Sequence, residues 1–111
     1  MKGQPESEVL KQCLEYLQLH GIFAFRNNTG ALKSGRRFIH FGYPGSSDIL
    51  GILPGGKFLA VECKREKGGK LSDLQIDFLN RIKENGGVAV CVHSVEDLKN
   101  ILNSYFTNTN T

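Results

Sequence analysis

The chain is expected to fold as an α/β domain, with a mixed central β-sheet flanked by helices. Three features of the sequence lead there. Apolar residues recur at helical spacing in three segments, short apolar runs bounded by glycine and proline lie between them, and helices and strands are interleaved rather than segregated. At 111 residues one domain spanning 1–111 is expected, large enough for its own core, with residues 1–5 and 107–111 fraying.

Taken in order, Pro5 to His20 carries Leu10, Cys13, Leu14 and Leu17 at helical spacing, with Ser7 as cap and Gly21 as stop. Ile22 to Phe25 reads as a strand. The Asn, Gly and Ser content of Arg26 to Arg37 marks a loop, and Phe38 to Phe41 a short strand. Gly42 to Ser47 then turns the chain into the run Asp48 to Leu53, which pairs with Phe58 to Glu62 around Pro54-Gly55-Gly56. After a loop from Arg65 to Lys70, Ser72 caps a second helix, with Gln75 completing a capping box and Leu71 stapling to Ile76. Leu74, Phe78, Leu79 and Ile82 are its expected buried stripe, and Gly86-Gly87 ends it. Val88 to Val92 is an uninterrupted β-branched run, as in a buried strand. Ser94 starts the last helix, with Leu98, Ile101, Leu102 and Tyr105 inward.

Composition narrows the class of protein. No apolar run approaches the ~20 residues of a membrane helix, and the amino-terminal residues lack a hydrophobic signal region, so a cytosolic protein is expected. Three cysteines, Cys13, Cys63 and Cys91, form no Cys-x-x-Cys pair and sit in apolar segments, which suits reduced core residues. A net charge of +3 is too small to identify nucleic-acid binding by itself.

Chemistry concentrates in the hairpin. If its turn is the three residues Pro54 to Gly56, Leu53 faces Lys57 and, counting outward, Asp48 faces Glu62. Lys64 then shares their sheet face while Cys63 points away. A two-residue turn would set Asp48 opposite Cys63 instead, and the first register is preferred because it groups the three charges. Two carboxylates set opposite each other repel, so a positive group must hold them; Lys64 supplies one charge and a hard divalent cation such as Mg²⁺ would supply the rest. A structural Asp-Glu-Lys ion cluster, or three solvated strand-end charges, is the alternative.

Asp48, Glu62-x-Lys64, a glutamate in the first helix and Gln75 early in the next together resemble the PD-(D/E)XK nuclease superfamily. More narrowly, they are similar to its VRR-NUC branch of virus-type replication-repair nucleases, in the small stand-alone form of phages and bacteria. The resemblance runs from about Glu8 to Leu102 and includes Leu71-Ser72-x-x-Gln75-x-x-Phe78-Leu79 and Gly86-Gly87-Val88 through Ser94-x-Glu96-Asp97. One departure is that Gly45-Ser46-Ser47-Asp48 stands where the superfamily has Pro-Asp, with Pro44 four residues before Asp48.

The resemblance implies a restriction-endonuclease-like core in which Asp48, Glu62 and the backbone carbonyl of Cys63 bind Mg²⁺ or Mn²⁺, with Glu8 contributing directly or through water. It implies that Lys64 orients the attacking water and that Gln75 positions Lys64 or a phosphate. Glu8, with Gln12 and Glu15, also suits a solvated helix face. His40 and His93 lack partners at ligand spacing, and His20 suits a helix C-terminus.

Two basic segments flank the hairpin, Arg26, Lys33, Arg36 and Arg37 before it and Arg65, Lys67 and Lys70 after it, and are expected to contact DNA phosphates. The function expected is a metal-dependent DNA endonuclease that recognises a four-way junction or other branched structure. A homodimer is expected, because one site cuts one strand. The alternatives are an inactive DNA- or protein-binding module of the same fold and a sequence-specific restriction-type endonuclease.

Overall fold

A computed structural model describes residues 3–109, with side chains described as far as Thr107. The order is helix α1 (Glu6–Leu19), strands β1 (Phe23–Arg26), β2 (Gly30–Ser34), β3 (Arg37–Phe41), β4 (Ile49–Ile52) and β5 (Phe58–Cys63), helix α2 (Asp73–Glu84), strand β6 (Val88–Val92) and helix α3 (Val95–Thr109). Four strands form a mixed sheet in the order β1-β4-β5-β6, antiparallel except for the parallel pair β5 and β6. The β4–β5 hairpin lies at its centre, as expected.

Alternation along the strands divides the side chains between two faces. On one face Ile49, Leu59, Val61 and Cys63 pack against Val9, Cys13 and Leu17 of α1 and Leu98 and Leu102 of α3. On the other face Ala60 and Ala89 pack against Leu79 of α2. The result is a helix–sheet–helix sandwich in which β5 is buried on both faces, as its continuous apolar run requires. Among the described residues no helix is long and apolar enough to cross a membrane.

The structure departs from the sequence reading in four places. First, α1 begins at Glu6, with Pro5 as its N-cap and no side-chain cap bond, so Ser7 is helical rather than capping. Pro5 offers a carbonyl to the amides of Glu8 and Val9, and its fixed φ suits a helix start. Second, β1 extends through Arg26, and the segment expected to be a loop contains β2. It pairs antiparallel with β3 as a separate two-stranded hairpin, Leu32 opposite Ile39 and Lys33 opposite Phe38. Third, Leu74 is 59% exposed, because α2 turns only the side bearing Phe78, Leu79 and Ile82 to the sheet. Fourth, α3 runs on to Thr109, past the residue where fraying was expected.

Candidate metal centre

The sheet delivers both central carboxylates to one place. The hairpin register is that of the three-residue turn, with Ile49 opposite Val61 and Leu50 opposite Ala60. The Leu53 amide donates to the Lys57 carbonyl at 2.8 Å. Asp48 stands one residue before β4, and its Oδ2 accepts a hydrogen bond of 2.8 Å from the backbone amide of Cys63. N–H and C=O of one strand residue point to the same edge, so the Cys63 carbonyl faces the Asp48 side, while its thiol points into the α1 core.

Glu6, Asp48 and Glu62 each place a carboxylate oxygen within 4.8 Å of the other two. The carboxylate supplied by the first helix is thus Glu6, and Glu8 instead accepts from the Gln12 amide at 3.4 Å. Sequence reasoning passed over Glu6 because a cap at Ser7 would leave it outside the helix. The signal available was Pro5, which starts the helix two residues earlier and puts Glu6 in its first turn, where the helix dipole favours a carboxylate.

Glu62 is 2% exposed, and its Oε2 is buried without a hydrogen-bond partner. Burial, first, and the neighbouring Asp48 push its carboxyl up to about 8, against the opposing pull of Lys64. At neutral pH without metal Glu62 therefore favours its protonated form. A divalent cation would relieve the repulsion among these carboxylates. The donor set, carboxylate oxygens with a backbone carbonyl at the rim and no imidazole or thiol, suits a hard, oxygen-loving divalent ion.

Gln75 links this group to the helix beside it. Its Oε1 accepts from Lys64 Nζ at 3.0 Å and from the Ser72 amide at 2.9 Å, and its Nε2 donates to Glu62 Oε1 at 3.0 Å. The Gln75 amide in turn donates to Ser72 Oγ at 3.2 Å, completing the capping box. Local capping and site construction therefore coexist in one side chain. Lys64 is almost wholly buried, and its strand end is held by a bond from its amide to the Val92 carbonyl. Gly69 passes so close that a Cβ there would lie 2.8 Å from Lys64 Cβ.

The basic residues fall into two groups. Arg65 and Lys70, with Lys64, Glu6, Gly68 and Gly69, line a cleft of about 490 Å³ that opens beside the carboxylates. Lys67 lines an adjoining cleft with Arg65 and Gln4. Arg26 ends β1, whereas Lys33, Arg36 and Arg37 stand on the β2–β3 hairpin, all exposed. The histidines lie apart from the acidic group: His20 caps the C-terminus of α1, His40 is on β3, and His93 Nδ1 lies 3.0 Å from the Arg65 carbonyl. All three cysteines are free thiols. The Cys63 thiol is held well above its ordinary range by its hydrogen bond with Cys13 and by burial.

No protein-family model matches this chain, and neither does any curated protein sequence.

Proposed function

We propose that this protein is a divalent-metal-dependent DNA endonuclease with a restriction-endonuclease-like core, similar to the VRR-NUC branch of the PD-(D/E)XK nucleases. It would act in the cytosol on branched DNA as a homodimer. The observation that carries the reading is Glu62, buried with its Oε2 lacking a hydrogen-bond partner and grouped with two further carboxylates, with the Lys64 ammonium held by Gln75 beside it.

Phosphodiester hydrolysis needs a nucleophilic water, relief of charge on the phosphate and help for the leaving oxygen. Mg²⁺ or Mn²⁺, held by Asp48, Glu62 and the Cys63 carbonyl with Glu6 at the rim, would polarise the phosphate and acidify a water. Asp48 and Glu62 bind and orient. Lys64, fixed by Gln75, keeps its remaining N–H donors for the attacking water or a phosphate oxygen. Gln75 keeps Lys64 and Glu62 at a set separation. Arg65 and Lys70 in the adjoining cleft neutralise the flanking backbone.

Labelled four-way junctions, forks, flaps, nicked and plain duplexes incubated with Mg²⁺ or Mn²⁺ test the reading. Cleavage of branched substrates that stops in EDTA is expected. Metal binding without any cleavage would identify a binding module, and cleavage of linear duplex at one base sequence a restriction-type enzyme.

A further inference from the structure

The β2–β3 hairpin is not part of the main sheet, and every residue in it is exposed. An isolated two-stranded hairpin is only marginally stable in water, so such an arm calls for a partner. Its length, five residues a strand, gives a reach of about 16 Å.

Charge identifies the kind of partner. Residues 21–47 contain no Asp or Glu, yet carry Arg26, Lys33, Arg36 and Arg37, more positive charge than the +3 of the whole chain. A second copy docking arm against arm would set these cations against each other, whereas a polyanion meets only attraction. The remaining chemistry divides between the two faces, Leu32 and Ile39 paired on one and Phe38 on the other. On one arm face Phe38, 66% exposed, stands directly across from Lys33, and His40 across from Ala31; Arg36 lies in the tip. An exposed ring with a lysine across from it and arginines at the tip is what unpaired nucleotides bind: bases stack on the ring and phosphates meet the charges.

The arm is rooted at the metal centre. Asn27, at its entry, donates from its backbone to the Asp48 carbonyl at 2.7 Å and from its side chain to Ser46 Oγ at 2.7 Å and the Ser47 carbonyl at 3.0 Å. Gly42, at its exit, has φ +77, and a Cβ there would lie 2.6 Å from the Asn28 carbonyl oxygen. The arm's entry is thus fixed to Asp48 and the two residues before it, and its exit packs against that entry.

We infer that the β2–β3 arm is a single-strand-binding element, which stacks unpaired bases on Phe38 and so brings the boundary between paired and unpaired DNA to the carboxylate group. This deepens the nuclease reading by naming what in a branched substrate is recognised, and only the fate of the bound strand rests on that reading.

Fluorescence anisotropy in EDTA, with the full chain, a labelled forked duplex and a blunt duplex of the same paired sequence, tests the inference. The wild type should bind the fork about tenfold more tightly than the blunt duplex, and Phe38→Ala should lose that preference with its circular dichroism unchanged. Arg36→Ala/Arg37→Ala should weaken binding to both DNAs and flatten the salt dependence. Equal binding of fork and blunt duplex by the wild type would overturn the inference, as would a Phe38→Ala variant that keeps the preference. So would one whose mass in light scattering changes while its DNA affinity does not, which would make a second copy the arm's partner. Because binding is read without metal, a failure to cleave in Mg²⁺ would end the nuclease reading and leave the arm, whereas loss of fork preference would do the reverse.

Discussion

Burial and the facing Asp48 carboxylate raise the Glu62 carboxyl to about 8. A raised folded-state value means that the folded protein holds a proton the unfolded chain releases. The stabilising contribution is complete below the ordinary value of 4.5 and disappears as pH rises through about 8. The metal-free wild type should therefore lose stability across that window. Glu62→Gln, which keeps an acceptor for Gln75 and removes the charge, should unfold at higher denaturant concentration at pH 8, by on the order of 2 kcal/mol. If the two proteins show the same pH dependence, Glu62 is not the buried acid described above. At the same scale, Lys64→Ala should remain folded and bind DNA while cutting ~100-fold more slowly; an unfolded variant would instead mark Lys64 as part of a structural ion cluster. Glu6→Gln should weaken Mn²⁺ binding and Glu8→Gln should not, because only Glu6 reaches the other carboxylates.

The first turn of α2 separates two uses of one side chain. Ser72→Ala removes the cap but leaves the Gln75 contacts to Lys64 and Glu62, so it should cost about 1 kcal/mol of stability and little activity. Gln75→Ala should lose both, and denaturant melts alongside cleavage rates would show it; equal activity in the two variants would reduce Gln75 to a cap. The hairpin and this helix start were legible in the sequence because their signals are local: a Pro-Gly-Gly turn between apolar runs, and Ser72 with Gln75 three residues on. The last helix was legible for the same reason, its Ser94 hydroxyl accepting from the Asp97 amide at 3.2 Å. The β2–β3 arm was not, since a strand with no buried face needs no apolar alternation, and Gly30 to Ser34 looks like loop. Glu6 was missed through the start of α1, where a proline rather than a hydroxyl side chain sets the boundary.

Across the whole molecule, α2 covers only part of its sheet face. Cross-strand register lines up Phe23, Ile52 and Phe58 on the uncovered part, all exposed, on the same face as Glu62. An apolar row of this kind supports the proposed dimer, which would present two sites to two strands. Light scattering should report about twice the 12.3 kDa of one chain, and Ile52→Lys should return the monomer; a wild type that stays monomeric at high concentration would remove the dimer. Metal binding by the carboxylates is tested by calorimetric titration of Mn²⁺ into the full chain at pH 7, in two buffers of different ionisation enthalpy. Saturable binding that releases about one proton is expected, because the cation must displace the proton held at Glu62, as is loss of both signals in Glu62→Gln. Binding without proton release, or binding unchanged in Glu62→Gln, would contradict the proposed metal centre.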